Sequence, residues 1–245
     1  MKLLMANKNH VSTCCSRRLS WGGVWLLTAL LLLANTALGG PRDQARRMHD
    51  RLTGTPPTDA MLDAMQSALT GGSGVDAALY AIDGAPSEPA NGNFYTVVLK
   101  NWVSPWTNEA RDRFVALNDY TATVIGMVRD EADFREVLSA DVLYIGQGQG
   151  IPASSNSNND HYEALEASGA NLGDSSVLVR RTQSTVTGIV PPGVAGVMST
   201  RAAARAYFVD GTNRAMFRFT VLNHLCLDME QLKDGTRPTD RIRQD

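Results

Sequence analysis

An apolar run near the N-terminus limits which part of this chain can form the folded domain. The run covers residues 24–34, whereas a helix that spans a bilayer needs roughly 20 residues. It follows a basic segment that contains Lys2, Lys8, Arg17 and Arg18 and no acidic residue. This order predicts a bacterial secretion signal rather than an element of the fold. The adjacent arginines leave a twin-arginine route open beside the general secretory route.

Small residues after the run provide a cleavage site. Residues 37–39 have a small-x-small pattern, and Pro41 would mark the start of the mature chain. The alternative is an uncleaved anchor over residues 21–38, although two polar residues interrupt that run. We therefore predict a signal peptide over 1–39 and an exported protein, periplasmic or extracellular. No stable membrane span is expected after cleavage.

The composition after residue 39 is acidic and poor in cysteine. The remaining 206 residues hold 19 basic and 25 acidic side chains, a net charge of −6, and can form one large core or two small ones. Because this charge gives no basic surface, we expect no nucleic-acid partner. Cys226 is the one cysteine of this part, which excludes an internal disulfide. We expect it to be buried, the alternative being a bond to another molecule.

Helical periodicity dominates the mature sequence. Its clearest case is an i, i+3, i+4, i+7 stripe of apolar side chains between Leu117 and Val128, with Asn118 or Asp119 placed to start the helix. Helices are also predicted in seven other segments, two of which begin after a capping residue. These are residues 42–53, the helix after Thr58, 75–82, 131–140, 160–167, the helix after Ser199 or Thr200, and 216–229.

Three further segments have less regular patterns. Residues 142–145 fit either a short buried strand or the end of the preceding helix, and residues 177–189 fit a small hairpin. Polar and glycine-rich residues at 146–159 predict an exposed loop. One helical face is predicted to contain Phe94, Val97, Val98, Asn101 and Trp102.

These patterns predict a mainly α fold. The chain after the N-terminal signal helix is expected to form an irregular multi-helix globular domain with long polar loops over residues 40–232. Residues 233–245 are charged, have almost no apolar content and are predicted to be a flexible tail.

No catalytic motif has the residue types and spacing that its chemistry requires. The glycines at 146, 148 and 150 lack the GxGxxG spacing and no GK[ST] follows, so a mobile loop is favoured over a phosphate-binding loop. Neither a G-x-S-x-G elbow nor an H-E-x-x-H pair is present. We therefore predict no catalytic activity for this chain.

The metal-ligand candidates are His224, Asp228 and His161. A helix would place His224 and Asp228 one turn apart on one face, where they could begin a zinc site. The alternative is that each histidine is held by a carboxylate or a helix cap. A periplasmic metal-binding protein or enzyme centred on His224 and Asp228 is the second hypothesis for the function.

Two arginines are candidates for contact with an anion or a partner. Arg214 and Arg218 share a helical face, so both could grip a carboxylate or a haem propionate. The alternative is surface salt bridges with Asp210, Asp228 or Glu230.

Four stretches of the sequence resemble one protein family. They are 117–130 (LNDYTATVIGMVRD), 134–144 (FREVLSADVLY), 159–166 (NDHYEALE), and 196–226 with its segments GVMSTRAA, NRAMFRF and LNHLC. Together they resemble uncharacterised bacterial exported proteins related to the cytochrome-c-like outer-surface proteins, over roughly residues 42–245. In that family a C-x-x-C-H haem-attachment motif follows these segments. The resemblance therefore implies an exported helical region beside a haem-bearing part.

The chain departs from the family at the haem segment. It contains no C-x-x-C-H, and Cys226 alone cannot supply the two thioethers and axial histidine of covalent haem. We expect no cofactor here, and haem c only in a longer relative. The chain is expected to be a fragment or frameshifted product, or a short member whose haem-bearing segment or subunit is separate. Its expected role is scaffolding or partner binding.

Overall fold

The computed structural model describes residues 39–209, 215–228 and 231. Residues 1–38 of the predicted signal peptide, Arg214 and the charged tail lie outside these ranges. The α-helices are α1 (Pro41–Thr53), α2 (Asp59–Thr70), α3 (Gly74–Asp83), α4 (Lys100–Val103), α5 (Asp119–Arg129), α6 (Asp160–Ala167), α7 (Gln183–Thr187), α8 (Arg201–Ala204) and α9 (Ala215–Leu225).

Shorter elements connect these helices. The π-helical segments are Phe94–Leu99 and Arg205–Val209, and the 3-10 turns are Ser104–Thr107, Phe134–Glu136 and Gly196–Ser199. The strands are β1 (Gly84–Ala85), β2 (Glu88–Pro89), β3 (Leu143–Gly146) and β4 (Leu178–Arg181). The predicted mainly α fold class is confirmed. Within the described ranges, no helix has the length and apolar character needed to cross a bilayer.

The first three helices pack around a small core of their own. Thr58 caps α2 by accepting the N–H of Met61 at 3.1 Å, and Ser73 caps α3 in the same way. These caps satisfy amide groups that have no partner inside the helix. The core consists of Ala45, Met61, Leu62, Met65, Ala77 and Ala81. The predicted start of α2 at Thr58 is therefore confirmed.

Helix α5 is the centre of the larger core. Asn118 caps it by accepting the N–H of Thr121 at 3.0 Å, as the sequence predicted. Burial extends beyond the predicted stripe, because every residue from 119 to 127 is buried. Gly126 permits this packing, since the ring of Tyr144 occupies the space that a Cβ at this position would fill.

Strand β3 pairs antiparallel with β4, so residues 143–145 of the predicted segment belong to a strand rather than to a helix end. The predicted hairpin over 177–189 is wrong, because β4 pairs with β3 and the residues after β4 form α7. Helix α5 supports the pairing from its middle and from its C-terminal end. The Thr123 hydroxyl accepts the N–H of Tyr144 at 3.2 Å, and Arg129 donates to the carbonyl of Leu178 at 2.8 Å.

Two predicted helical patterns are wrong. In place of a helix over 131–140, only the 3-10 turn Phe134–Glu136 forms, because Glu131 adopts a positive φ of 50° and ends the helical path. The buried helical face predicted to contain Phe94 and Trp102 is also wrong, since Trp102 is exposed. A π-helical turn holds an extra residue, which shifts the buried face. That face contains Tyr95, Leu99 and Val103.

Candidate functional site

A network of polar side chains, which is buried at Lys100 and Asp119 and exposed at Glu166, surrounds the residues that lead into α5. Lys100 forms a 2.7 Å ion pair with Glu166. The second oxygen of Glu166 accepts the N–H of Leu117 at 2.8 Å. Asn159 donates to the carbonyl of Leu117 at 2.8 Å and accepts a hydrogen bond from the Arg201 guanidinium at 2.6 Å. Both backbone groups of Leu117 are therefore held by side chains at the ends of α6.

Asp119 joins this network to α8. Its carboxylate accepts the N–H of Arg201 at 2.6 Å and the N–H of Ala202 at 3.0 Å, while Thr200 caps the same helix through the N–H of Ala203. Asp119 is almost fully buried, and burial raises the pKa of its carboxyl, although the amide hydrogen bonds oppose that shift. Because its acceptors are occupied by backbone donors, this carboxylate positions α8 and is not exposed to a substrate.

A second constellation lies where α5, α9 and the turn Ser104–Thr107 meet. The Nε2 of His224 lies 2.8 Å from the hydroxyl oxygen of Tyr120. The ring of Trp106 meets the His224 ring edge-on with centroids 5.4 Å apart, and Trp102 meets Trp106 in the same way at 4.9 Å. No local sequence pattern predicts this arrangement, because Tyr120 and His224 are 104 residues apart.

His224 and Asp228 do not share a helical face. Helix α9 ends at Leu225, and Asp228 lies beyond it. Asp228 accepts two hydrogen bonds from the guanidinium of Arg218, each 3.0 Å long, whereas His224 faces Tyr120. In the part of the chain that the structure describes, no three His, Cys, Asp or Glu side chains are grouped to hold a metal ion. The zinc-site hypothesis for His224 and Asp228 therefore has no geometric support among these residues.

His161 is engaged on both ring nitrogens by the backbone of the loop before α6. Its Nε2 accepts the N–H of Gly146 at 2.9 Å, so the proton is on Nδ1, which donates to the carbonyl of Pro152 at 2.6 Å. The side chain is buried. His161 is thus placed to fix the loop over 146–159. Its hydrogen-bond partners differ from the residues that contact His224.

Of the two arginines predicted to contact an anion or a partner, the structure describes Arg218. Arg218 forms the salt bridge with Asp228, which is one of the alternatives that the sequence left open, and both side chains are largely shielded from solvent. Arg214 lies outside the described residues.

The prediction that Cys226 is buried is wrong. Cys226 follows the last residue of α9, is exposed, and has a positive φ of 54°. The helical pattern predicted for residues 216–229 continues in sequence past the point where the helix ends, so the apolar neighbours of Cys226 do not bury it. Leu225 and Leu227 on either side are exposed as well.

Helix α9 has an unusual distribution of apolar residues. Apolar side chains occur around most of its circumference, yet only Ala215 and Phe219 are buried. Phe219 stacks on Tyr207 of the preceding π-helical segment with centroids 5.2 Å apart, which fixes the two elements together. A helix that is apolar all round is normally buried in a larger core or an interface.

Comparison with known proteins gives no assignment. No protein-family model matches the chain, and neither a curated protein nor a solved structure shows significant similarity to it.

Proposed function

We propose that this chain is an exported docking region without a catalytic motif, which binds a haem-bearing segment or subunit through its C-terminal helices. One observation carries the proposal: α9, the π-helical segment before it and the residues just after it expose a set of large apolar side chains. We call this set the C-terminal apolar residues. It consists of Phe208, Val209, Met216, Phe217, Leu225 and Leu227.

The exposure of these side chains costs free energy that a partner would recover. Phe217 is 62% exposed and Val209 is 76% exposed. Burial of a large apolar side chain contributes about 1.5–3 kcal/mol relative to exposure in water. Single exposed apolar residues are common, but several on two adjoining elements are typical of an interaction surface.

The chemistry of the occupant follows from the resemblance to the cytochrome-c-like exported proteins. In those proteins the haem-attachment motif comes after the segments that resemble residues 196–226, so α9 corresponds to the helix that leads to the haem. Cys226 cannot hold haem by itself, and the haem must therefore be supplied by another segment or subunit. The Arg218–Asp228 pair beside the C-terminal apolar residues provides a polar border to such a contact.

Binding to a haem-bearing polypeptide tests the proposal. The probe is the first polypeptide with a C-x-x-C-H motif encoded downstream of this gene, produced in a host that attaches haem c. Isothermal titration is expected to detect binding, and Phe217→Ser is expected to weaken it tenfold or more, because central interface side chains contribute about 2 kcal/mol or more. Val75→Ser is the matched control, since Val75 is exposed but lies on α3 with the separate core.

Two results would overturn this proposal. One is the absence of any downstream C-x-x-C-H motif in all reading frames. The other is equal binding by Phe217→Ser and Val75→Ser, with both variants folded by circular dichroism. Export is tested separately by N-terminal sequencing of protein recovered outside the cytoplasm, which is expected to begin just after residue 39.

A further inference from the structure

The two tryptophans that follow residue 39 are in contact with each other. Trp102 is 60% exposed, whereas Trp106 is partly buried against the larger core. Their ring centroids lie 4.9 Å apart. The exposed ring of Trp102 on α4 is therefore in direct contact with the shielded ring of Trp106 on the following 3-10 turn.

The aromatic contacts continue from Trp106 into the interior. The His224 ring lies 5.4 Å from Trp106, and its Nε2 lies 2.8 Å from the hydroxyl of Tyr120, which is completely buried. Three separate elements supply these side chains, namely the turn Ser104–Thr107, α5 and α9. The result is an unbroken series of ring contacts from solvent to the centre of the core.

The direction of the hydrogen bond between Tyr120 and His224 follows because the buried hydroxyl proton of Tyr120 needs an acceptor. Among the described residues, the Tyr120 hydroxyl has no other hydrogen-bond partner. If His224 donated to it, the hydroxyl proton would be left buried without an acceptor, which is rare in folded proteins. Burial also lowers the pKa of His224, so its ring is neutral at neutral pH. Tyr120 therefore donates to the unprotonated Nε2 of His224.

We propose that Trp102, Trp106, His224 and Tyr120 form a redox relay, in which a one-electron oxidant at Trp102 draws an electron from Tyr120. The oxidant takes one electron from the Trp102 indole and is itself reduced. Trp106 then donates an electron to the oxidised Trp102, and Tyr120 donates one to the oxidised Trp106. As Tyr120 loses that electron, its hydroxyl proton moves to Nε2 of His224. The products are a neutral tyrosyl radical, an imidazolium ion and the reduced oxidant.

His224 gives this relay its direction. Removal of an electron from a phenol makes its hydroxyl strongly acidic, so oxidation is favourable only where a base accepts the proton. The distance of 2.8 Å lies within the range of about 2.6–3.2 Å for direct proton transfer. The other tyrosines with a described hydroxyl partner contact carboxylates, amides or carbonyls instead of an imidazole. These are Tyr95, Tyr144, Tyr162 and Tyr207.

This relay does not depend on the proposed haem-bearing partner. An outer-sphere one-electron oxidant can start the transfer at Trp102 where its reduction potential exceeds that of the tryptophan radical cation. The four side chains belong to this chain alone. Loss of docking by the Phe217→Ser variant would therefore leave the relay intact.

Photochemical oxidation tests the relay directly. The purified chain is mixed with ruthenium tris(bipyridine) and an irreversible electron acceptor, and a laser flash generates the ruthenium(III) oxidant. Transient absorption and electron paramagnetic resonance are expected to show a neutral tyrosyl radical. Tyr120→Phe is expected to abolish this radical, whereas Tyr80→Phe, which changes a half-buried tyrosine of the separate core, leaves it unchanged.

Conservative variants separate electron transfer from a structural role. Trp102→Phe alters an exposed ring and is expected to slow radical formation about tenfold or more, which is an increase of about 1.4 kcal/mol in the barrier. His224→Gln keeps an acceptor for the Tyr120 hydroxyl but removes the base, so the yield of the radical is expected to fall. Transfer of the hydroxyl proton also predicts slower formation in heavy water.

The proposal is overturned if the radical forms equally in Tyr120→Phe and Tyr80→Phe. It is also overturned if Trp102→Phe and His224→Gln both match the wild type in rate and yield. These two variants decide the question even where Tyr120→Phe fails to fold, since neither removes a fully buried side chain.

Discussion

The carboxylate of Asp119 accepts a 2.6 Å hydrogen bond from the backbone N–H of Arg201, 82 residues later in the chain. A side chain in the first turn of α5 thereby closes the N-terminus of α8. The N-terminus of a helix leaves amide groups without intrahelical partners and carries a partial positive charge, which a carboxylate stabilises. Asp119 therefore connects the central helix to the C-terminal part of the fold that precedes α9.

Removal of the Asp119 carboxylate is expected to destabilise the fold. Asp119→Ala leaves the amides of Arg201 and Ala202 buried without an acceptor, at about 1–3 kcal/mol for each. We expect the free energy of unfolding in urea to fall by about 2–6 kcal/mol. Asp119→Asn is expected to lose less, because its amide oxygen still accepts one of the two hydrogen bonds.

Asp76→Asn is the matched control for these variants. Asp76 also lies in the first turn of a helix, α3, but it is exposed. Substitutions at such surface positions change stability by about 0.5 kcal/mol or less. A loss of similar size in Asp76→Asn and Asp119→Asn would contradict a specific role for the buried carboxylate.

Helix starts could be predicted from the sequence because their determinants are local. Thr58, Asn118 and Thr200 each accept the N–H of the residue three positions later, so the capping residue and its partner are read together. The predicted bounds of α6 also match the structure, with the helix at Asp160–Ala167. The sequence offered Asn118 or Asp119 as the cap of α5, whereas Asn118 caps α5 and Asp119 caps α8.

The candidate site could not be predicted, because its contacts join residues far apart in sequence. Tyr120 meets His224 across 104 residues, and β3 pairs with a strand more than 30 residues later. Periodicity reports which residues of one segment are buried together, but not which segment covers them. The apolar pattern through Cys226 was misleading for the same reason, since α9 is only partly covered.

His161 is expected to control the exposure of the loop over 146–159. His161→Phe keeps a ring of similar size but leaves the N–H of Gly146 and the carbonyl of Pro152 without partners. Loss of the buried hydrogen bond to Gly146 costs about 1–3 kcal/mol, so local opening is expected to increase about tenfold or more. Limited proteolysis with thermolysin measures this opening as faster cleavage within the loop.

Glu163→Gln provides the comparison for His161→Phe on the same helix. Glu163 is exposed and, among the residues that the structure describes, its side chain forms a hydrogen bond only with Asn159, so loop cleavage is expected to stay at the wild-type rate. Unchanged cleavage in His161→Phe would mean that other contacts hold the loop.

Gly126 is expected to be required for the packing of α5 against β3. Gly126→Ala places a methyl group where the ring of Tyr144 lies, and both residues are buried. Overpacking of this kind costs about 1–3 kcal/mol, and thermal or urea unfolding measures it. Gly74→Ala is the control, because no atom lies within 4 Å of its added Cβ. An equal effect at both positions would exclude close approach of Tyr144 as the cause.

Because of His224, the free energy of unfolding is expected to fall as the pH is lowered below neutral. Burial lowers the pKa of the folded His224 below its usual value of 6.5, whereas the unfolded chain titrates near that value. The unfolded state therefore binds more protons just below pH 6.5. The contribution of His224 is fully present above that pH and is lost as the pH falls through the lowered folded pKa.

The comparison with His224→Gln isolates this effect, because His49 and His161 are present in both proteins. We expect the difference in the free energy of unfolding between wild type and variant to shrink between about pH 8 and about pH 5. A difference that stays constant over this range would show that His224 is not shielded by Trp106 and Tyr120 in solution.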